Sequence, residues 1–327
     1  MQYSKSVALV GCGLWGRNVA RVLAQLGALK VICDADANNV QPLSTELKVE
    51  FTTDLAAALQ MPGIDAVAIA TPAATHADVA RQVLLAGKHV YIEKPIALSI
   101  ADATEVAALA VERGRVLMVG HLLQYHPGFI KLLELVRQRA LGKITYAYSN
   151  RLNQGRVRTE ENAMWSLAPH DFSMILAVAG EAPSAVTASG AAIVQLGIPD
   201  LATVHLAFAN GVKAHIFCSW LNPFKEHKLT VIGDQAMAVF DDTPKDWADK
   251  TLTLFSHKVV RKNDRPEFSK GNEQRIIFEH QEPLKNELAH FLECVATGAK
   301  PRTNADEAIS VLDALERAQR AMENSPT

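Results

Sequence analysis

Three glycines with the spacing Gly-x-Gly-x-x-Gly stand near the start of the chain, in the run Gly11-Cys12-Gly13-Leu14-Trp15-Gly16. An apolar run at residues 7–10 precedes them as a predicted strand, and apolar residues at helical spacing follow. The first glycine permits a tight turn, the second lets the backbone approach a pyrophosphate, and the third lets strand and helix pack closely. The start of the helix then attracts phosphate through its free N–H groups and its dipole. The run therefore predicts a dinucleotide site, to which Leu14 and Trp15 also belong.

A carboxylate follows the second predicted strand, residues 29–33, at Asp34. In a strand–helix–strand unit, a carboxylate there can accept hydrogen bonds from the adenosine ribose hydroxyls and would repel a 2′-phosphate. The glycines and Asp34 together therefore predict NAD rather than NADP as the cofactor. The alternative is that the glycines only make a tight turn and that Asp34 only caps the next helix.

Residues 151–158 concentrate groups that recognise phosphates and hydroxyls: Arg151, Asn153, Gln154, Arg156 and Arg158. The planar guanidinium group of arginine binds phosphate through paired hydrogen bonds. The run therefore predicts contacts to a phosphorylated, hydroxyl-rich substrate. The alternative is a solvated basic loop or a contact between subunits.

The strands and helices that must position these residues follow two different patterns, one before and one after residue 121. Up to residue 121, short apolar strands alternate with amphipathic helices, which is typical of a parallel sheet covered on both faces. Beyond it, longer alternating segments follow one another with turns such as Asn210-Gly211, which indicates an antiparallel sheet. We therefore predict an α/β protein, with a Rossmann domain at 1–121 and a second α/β domain with a large, mostly antiparallel open sheet at 122–327. Residues 256–282 are predicted as a long excursion without a clear pattern.

The composition argues against several other classes of protein. Lysine and arginine number 33 against 35 acidic residues, so neither nucleic acid nor an anionic membrane is expected as a partner. The four cysteines include no Cys-x-x-Cys pair and no zinc-site spacing, so no metal is expected. Scattered cysteines, with no signal-peptide pattern and no apolar run long enough to span a membrane, predict a cytoplasmic protein.

The tripeptide Glu93-Lys94-Pro95 ends the fourth predicted strand. Together with the glycine run, with Ala70-Thr71-Pro72-x-x-x-His76 and with the closing Pro283-Leu284-x-x-Glu287-Leu288-x-x-Phe291-Leu292, it resembles the Gfo/Idh/MocA family of oxidoreductases. The resemblance covers nearly the whole chain. It implies an NAD-binding Rossmann domain, followed by an α/β domain whose open sheet makes dimer or tetramer contacts.

The resemblance also assigns residues to the nicotinamide end of the cofactor. It implies that Lys94 is a catalytic lysine beside the nicotinamide, that Glu93 belongs to the same site, and that Thr71, Pro72 and His76 lie near the nicotinamide ribose. Residues at the carboxyl ends of parallel strands face the ligand crevice, and a lysine there can stabilise alkoxide character during hydride transfer. The alternative for Lys94 is a surface lysine on a loop.

A second catalytic group is expected in the run Trp165-Ser166-Leu167-Ala168-Pro169-His170-Asp171. Many family members carry Asp-x-x-x-His here, which makes His170 the implied general base, and histidine side chains titrate near neutral pH. Ser166 replaces the family aspartate, which argues against a carboxylate-assisted scheme. Asp171 should point away from His170 if both are helical. The alternative for His170 is a structural hydrogen bond at the start of a helix; His121 and His126 are expected to be supporting residues.

Within the family, residues 153–158 and 165–171 resemble the branch that acts on nucleotide sugars. This implies NAD-dependent oxidation of the 3-hydroxyl of UDP-N-acetylglucosamine to a 3-keto sugar, a step of lipid A (lipopolysaccharide) biosynthesis that precedes an aminotransferase. Asn153, Arg156, Arg158, Trp165 and His170 would bind the sugar nucleotide, and the arginines would take its diphosphate. The alternatives are UDP-N-acetyl-aminoglucuronate, a polyol such as myo-inositol, or a non-catalytic NAD-binding redox sensor.

Overall fold

The computed structural model describes residues 6–155 and 157–324, which form two compact units. The first unit contains the described residues up to Leu122 together with Glu282–Leu312. The second contains Leu123–Gln281 and the described residues from Asp313 onward. In this part of the chain no helix is both long and apolar enough to cross a membrane.

The first unit is built on a parallel sheet of six strands in the order β3-β2-β1-β4-β5-β6. All residues of β1 and β4 are buried, as predicted for strands covered on both faces. This strand order reverses direction at the β1/β4 boundary, where open α/β sheets bind their ligands. The strands are β1 Val7–Val10, β2 Leu29–Cys33, β3 Glu50–Thr52, β4 Ala66–Ile69, β5 His89–Glu93 and β6 Leu117–Gly120.

Helices connect these strands, and their ends follow local capping chemistry. Asp36 caps α2 by accepting a hydrogen bond from the Asn38 backbone N–H. Ser99 caps α5 by accepting one from the Asp102 backbone N–H. Leu14, which its apolar spacing placed on the first helix, precedes that helix and is 83% exposed. The helices are α1 Gly16–Gln25, α2 Ala37–Leu47, α3 Leu55–Gln60, α4 His76–Leu85 and α5 Ile100–Glu112.

A segment from near the end of the chain also belongs to the first unit, whereas we predicted that everything after residue 121 forms the second domain. This segment begins with helix α9, Pro283–Thr297, which contacts α1. The apolar face of α9 is buried, and the Phe291 ring lies 5.8 Å from the Tyr91 ring on β5. Arg21 and Glu282 form an ion pair at 2.5 Å. The division differs because α9 buries its apolar face in the first unit, and a helix's own sequence does not show which unit its apolar face will pack against.

The second unit is built on an eight-stranded sheet in the order β16-β13-β12-β11-β7-β10-β9-β8. The prediction of a mostly antiparallel sheet is confirmed, although β7 and β10 run parallel. Because two helices and a hairpin separate β7 from β10 in the chain, they provide the crossover that a parallel pair requires. The strands are β7 Ile144–Gln154, β8 Ala185–Ala191, β9 Leu201–Ala207, β10 Lys213–Ser219, β11 Leu221–Gly233, β12 Met237–Asp241, β13 Thr251–Phe255 and β16 Glu273–Ile276.

One face of this sheet forms the core of the second unit, and the other is half-exposed. Ala147, Ser149 and Arg151 alternate along β7 as buried residues, and Leu229 and Val231 on β11 continue that face. The helices of this unit are α6 Pro127–Arg137, α7 Ala163–Leu167, α8 Pro169–Ala179 and the C-terminal part of α10 Ala305–Glu323. The segment 256–282, left without a pattern by the sequence, contains β16 and an exposed hairpin of β14 Lys258–Lys262 with β15 Arg265–Ser269.

Candidate active site

The predicted cofactor residues lie at the carboxyl edge of the six-stranded sheet. Gly11 directly follows β1, Asp34 follows β2, Thr71 follows β4 by one residue and Lys94 directly follows β5. In a parallel sheet these positions share one edge, which is where ligands of open α/β sheets bind. The structure therefore brings residues from four separated segments of the sequence to one rim.

The glycine run is shaped so that two glycines pack tightly and one faces open space. Gly11 has φ +94°, and a Cβ added to it would lie 2.5 Å from the Ala70 backbone. A Cβ on Gly16 would lie 2.0 Å from the Gly11 carbonyl oxygen. A Cβ on Gly13 would meet nothing within 4 Å, which leaves room for a ligand against the backbone. The first turn of α1 has neither an acidic residue nor a side-chain cap, so its positive end suits a pyrophosphate. The loop therefore fits a dinucleotide.

Asp34 fastens this loop to the end of β2. Its Oδ2 accepts a hydrogen bond from the Cys12 backbone N–H at 2.7 Å, and its Oδ1 accepts from the Asp36 N–H at 3.0 Å and the Asn39 amide at 3.3 Å. It does not cap the following helix, because Asp36 does that. A carboxylate has about four acceptor positions, so one remains for a ribose hydroxyl. Burial, with the Asp34 charge second, raises the pKa of the Cys12 thiol to about 12, so this cysteine stays an unreactive thiol.

Glu93 belongs to a buried network that the sequence did not predict, and the half-exposed Trp15 donates a hydrogen bond to it. The Trp15 indole N–H donates to Glu93 Oε1 at 2.6 Å, and the Tyr91 hydroxyl lies 2.9 Å from the same oxygen. The Tyr91 hydroxyl also lies 3.1 Å from Oε2 of Glu287 on α9. Tyr91 and Glu287 are almost completely buried. The network thus links the glycine run to the strand end that carries Lys94.

The geometry of this network requires an extra proton. A tyrosine hydroxyl has one hydrogen, so it cannot donate to both carboxyl groups, and one of them must itself be protonated and donate. Burial raises the pKa of Glu93 as well, but the hydrogen bonds from the Trp15 indole and the Tyr91 hydroxyl and the Lys94 charge oppose that shift and favour its carboxylate form. Burial, reinforced by the Glu93 charge, raises the pKa of Glu287 well above its ordinary value. Glu287 is therefore the neutral acid of the network.

Gly120 completes the packing around these two acids. A Cβ at this position would lie 2.7 Å from the Tyr91 hydroxyl and 2.9 Å from Glu93 Oε2. Real Cβ atoms do not approach other atoms so closely, so any larger residue must displace the network. The glycine is therefore required by the buried carboxyl network and not by its own backbone conformation.

His76, expected near the nicotinamide ribose, is buried between two loops and contacts the backbone of both. Its Nδ1 lies 2.7 Å from the Pro95 carbonyl oxygen and its Nε2 lies 2.9 Å from the Thr71 carbonyl oxygen. Burial lowers the pKa of His76, while the two carbonyls oppose that shift. Both ring nitrogens face carbonyl oxygens, and the single N–H of the neutral ring donates to one of them, so His76 positions these loops instead of offering a donor to the cofactor. Thr71 is half-buried and Pro72 is exposed, so both can still line the site.

Lys94 is half-buried at the end of β5, between buried Glu93 and the loop that begins at Pro95 through a cis peptide bond. His121, expected as a supporting residue, is buried after β6, and its Nδ1 lies 2.6 Å from Glu307 Oε2. It is therefore held by a carboxylate within the same unit. Both positions agree with a rim built from strand ends.

In the second unit, His170 lies in the first turn of α8, half-buried, while the neighbouring Asp171 is completely buried. Asp171 forms an ion pair with Arg151, whose Nε and Nη2 lie 2.9 and 3.1 Å from its two oxygens, and it also accepts from the Ser149 hydroxyl. The expectation that Arg151 joins the other arginines in binding phosphate is corrected by this pair. Asp171 is committed to Arg151 and points into the sheet, as its helical position next to His170 predicts.

The remaining predicted substrate residues have different surroundings. Asn153 is half-buried near the end of β7. The Trp165 indole N–H donates to Gln319 at 3.2 Å, so its ring is fixed while half-exposed. Arg158 is 42% exposed, with its Nε 4.0 Å from Glu161. Arg156 lies outside the described residues.

Among the described residues, no group of three or more His, Cys, Asp or Glu side chains could hold a metal ion. The fold and the rim of strand ends define a dinucleotide-binding oxidoreductase of the Rossmann class. Comparison with family models agrees: residues 5–121 match the NAD-binding Rossmann fold of an oxidoreductase family, and residues 129–239 match the GFO/IDH/MocA C-terminal domain. The chain belongs to the Gfo/Idh/MocA family and is an NAD-binding oxidoreductase.

Several relatives show what this chain is similar to. It is 31% identical over 289 residues to UDP-N-acetylglucosamine 3-dehydrogenase of Acidithiobacillus ferrooxidans, with 88% of each chain covered. The solved structure of that enzyme superposes with a TM-score of 0.86 at 26% identity over 97% of each chain. GenD2 from gentamicin A biosynthesis, solved with NAD, gives 0.83 at 26% identity, covering 99% of this chain and 97% of that one. The scyllo-inositol 2-dehydrogenase of Bacillus subtilis is 24% identical, with 92% of this chain and 89% of the relative covered.

Proposed function

We propose that the protein oxidises the 3-hydroxyl of UDP-N-acetylglucosamine to the 3-keto sugar with NAD. The observation that carries the proposal is the similarity to a UDP-N-acetylglucosamine 3-dehydrogenase, which extends over 88% of both chains and includes both units. The glycine run and Asp34 support NAD as the hydride acceptor, because the loop leaves space beside Gly13 and Asp34 keeps an acceptor position for a ribose hydroxyl.

The proposal gives each unit one chemical task. NAD, when bound to the first unit, accepts the hydride that leaves the sugar C3. Lys94 stabilises the developing negative charge on the 3-oxygen, since a positively charged group at a strand end can do this without reorganising. His170 accepts the hydroxyl proton as general base. The products are the 3-keto sugar, reduced cofactor and a protonated histidine, which returns its proton to solvent.

Asn153, Arg158 and Trp165 bind the sugar nucleotide in this proposal, and Arg156 is assigned the same role from its sequence position alone. The fixed, half-exposed Trp165 ring offers a flat apolar surface of the kind that packs on a sugar or base. A 3-keto sugar is a substrate for transamination, so an aminotransferase is the expected next enzyme, as in the synthesis of 2,3-diamino sugars for lipid A.

We also propose that the half-exposed face of the eight-stranded sheet is covered by a second copy, giving a homodimer or homotetramer. Tyr148 and His215 stack on this face with ring centroids 5.3 Å apart, and Tyr146 hydrogen-bonds to His215. Such a continuous aromatic surface is unusual on a monomer. Light scattering of the purified protein would give the mass; a monomer at micromolar concentration would contradict this part of the proposal.

The test is to add NAD and UDP-N-acetylglucosamine to the purified protein and follow the absorbance of reduced nicotinamide, with and without an aminotransferase that removes the 3-keto sugar. Lys94→Ala and His170→Ala are measured alongside, with NAD binding by calorimetry as the control for folding. We expect reduced cofactor with wild type and a loss of about 100-fold or more in either variant, the range for a general base or a charge-stabilising group.

Other outcomes separate the alternatives. One outcome is turnover of UDP-N-acetyl-aminoglucuronate or of an inositol but not of UDP-N-acetylglucosamine, even when the aminotransferase removes the product. This would refute the substrate assignment and keep the family activity. The inositol alternative is favoured by one observation, the similarity to scyllo-inositol 2-dehydrogenase. Tight NAD binding with no turnover of any sugar nucleotide or polyol would favour a redox sensor.

A further inference from the structure

A group of basic side chains lies on the core-facing side of the eight-stranded sheet, within the second unit. We define this basic cluster as Arg151, Lys225, His227, Lys250 and His126. His227 on β11 is the direct partner of Arg151 on β7, so both side chains lie on the same face of the sheet. Asn153 lies two residues beyond Arg151 on β7 and therefore shares that face as well.

The acidic groups nearby are already paired with other basic side chains, including Asp241, which pairs with Lys228 outside the cluster. Asp171 pairs with Arg151, and Asp242 pairs with the buried Lys250 amine. No carboxylate within the described ranges lies within 4 Å of the Lys225 amine. Partial burial lowers the pKa of Lys225; the charges of Lys250 and Arg151 add to this shift, and those of Asp242 and Asp241 oppose it. The cluster thus has one more cation than it has nearby carboxylate partners.

Two imidazole rings in the cluster have nitrogen atoms that are unsatisfied. The Nε2 atoms of His126 and His227 are buried and have no hydrogen-bond partner among the described residues. His126 is 1% exposed, and its Nδ1 accepts the Gly128 N–H at 3.0 Å, so its Nε2 carries the hydrogen and is a donor. That Nε2 lies 3.6 Å from Asp242 Oδ1, beyond hydrogen-bonding distance.

The surroundings of His227 show which kind of partner the cluster lacks. Burial, followed by the charges of Arg151, Lys225 and Lys250, lowers the pKa of His227 to about 2. Three cations therefore act on this ring, which keeps it neutral. A bound anion would offset the repulsion among these cations and accept a hydrogen bond from a buried donor such as His126 Nε2, since charged groups strengthen such bonds.

We propose that the basic cluster is an anion subsite that binds the diphosphate of the substrate, with Lys225 and His227 as the residues that contact it. This inference rests on the proposed function; Arg151, which is held by Asp171, adds positive charge to the subsite but does not contact the diphosphate directly. Lys225 can reach a ligand because it lies in a stretch where β11 slips its register against β7, between Leu221 and Glu226. Its side chain is accordingly exposed at the edge of the cluster.

The test measures binding of uridine, UMP and UDP by calorimetry to the full-length protein, at low and high salt. Lys225→Gln and His227→Gln are compared with Lys228→Gln, the matched control, because Lys228 is also on β11 but pairs with Asp241 at 3.3 Å. We expect UDP to bind more tightly than uridine, and Lys225→Gln to weaken UDP binding about tenfold or more, as expected for one charge-assisted hydrogen bond. Uridine binding and the Lys228→Gln variant should be unaffected.

Equal affinity for uridine and UDP in wild type, or equal losses in Lys225→Gln and Lys228→Gln, would overturn the inference. Unchanged KM for UDP-N-acetylglucosamine in Lys225→Gln, with turnover intact, would also overturn it and leave the proposed function standing. If no sugar nucleotide is oxidised but UDP binding still depends on Lys225, the anion subsite stands and the proposed function fails. Because Lys225 is exposed, loss of folding does not obscure its result; for His227→Gln, circular dichroism provides the check.

Discussion

Replacing Glu287 by glutamine tests the buried proton of the first unit. The Tyr91 hydroxyl contacts carboxyl oxygens of both Glu93 and Glu287, so one of these must be protonated, and Glu287 has the strongly raised pKa. A glutamine amide has the shape of the neutral acid and can donate to the tyrosine oxygen in the same way. The substitution therefore keeps the hydrogen bond to the Tyr91 hydroxyl and removes the titrating carboxyl group of Glu287.

The sign of the effect follows from proton counting. Between the ordinary glutamate pKa and the raised pKa of folded Glu287, the folded state holds one more proton than the unfolded chain. Stability therefore falls as pH rises through this window, by about 1.4 kcal/mol per pH unit for one proton. Below the window Glu287→Gln and wild type should be equally stable. Above the ordinary value, the variant should gain on wild type by that amount per unit until the folded pKa is passed.

Urea unfolding followed by tryptophan fluorescence at pH 4.5 to 8 would measure the difference in unfolding free energy between variant and wild type. Glu293→Gln is the matched control, because Glu293 lies on the same helix with its side chain 68% exposed. A difference between Glu287→Gln and wild type that does not change with pH would refute the assignment of the proton to Glu287. If the unfolding free energy of Glu293→Gln relative to wild type changed with pH in the same way, the pH dependence could not be assigned to Glu287.

Three further substitutions test separate parts of the structure. Asp34→Asn should weaken NAD binding about tenfold by calorimetry, since it removes charge from the ribose acceptor; unchanged affinity would contradict its role. Gly120→Ala should destabilise the protein by about 1–3 kcal/mol, because the added methyl group overlaps the Tyr91 hydroxyl, which lies 2.7 Å away; an unchanged melting temperature would contradict this packing. Arg151→Met should cost about 3–5 kcal/mol by leaving the buried Asp171 carboxylate unpaired; a loss below about 1 kcal/mol would show that the pair is dispensable.

Local signals predicted much of the fold. Apolar runs identified the buried strands of the first unit, and Asn210-Gly211 predicted the turn at which the structure joins β9 to β10, with Gly211 at φ +94°. The strand β3 was missed because two of its three residues are exposed and give no apolar run. The parallel β7–β10 pair and the return of α9 to the first unit depend on packing between distant segments, which local patterns do not contain.

In the candidate site, too, the sequence predicted residues with a local signal but not the contacts between distant segments. The glycine run and Asp34 were predicted because each directly follows a strand, and Lys94 was predicted from the family resemblance. The structure places all of them on one rim. The contact between Tyr91 and Glu287 joins residues 196 positions apart, so spacing could not predict it. Glu287 did occur in the family-like ending of the chain, yet a glutamate in a helical pattern gives no sign that its side chain is protonated. The burial of Arg151 was detectable in principle, because strand alternation places it on the core face with Ser149.

The two units stabilise their buried carboxyl groups by opposite means. In the first unit Glu287 stays neutral by keeping a proton, because its neighbours Tyr91 and Glu93 supply no positive charge. In the second unit Asp171 and Asp242 stay paired with cations, and Lys225 is left over. A protonated Glu287 limits the network beside the glycine run to the single negative charge of Glu93. A surplus cation would suit the anionic substrate of the proposed function. If the proposed function holds, the charges of each unit therefore suit an anionic ligand, the pyrophosphate of NAD on the first and the diphosphate of the substrate on the second.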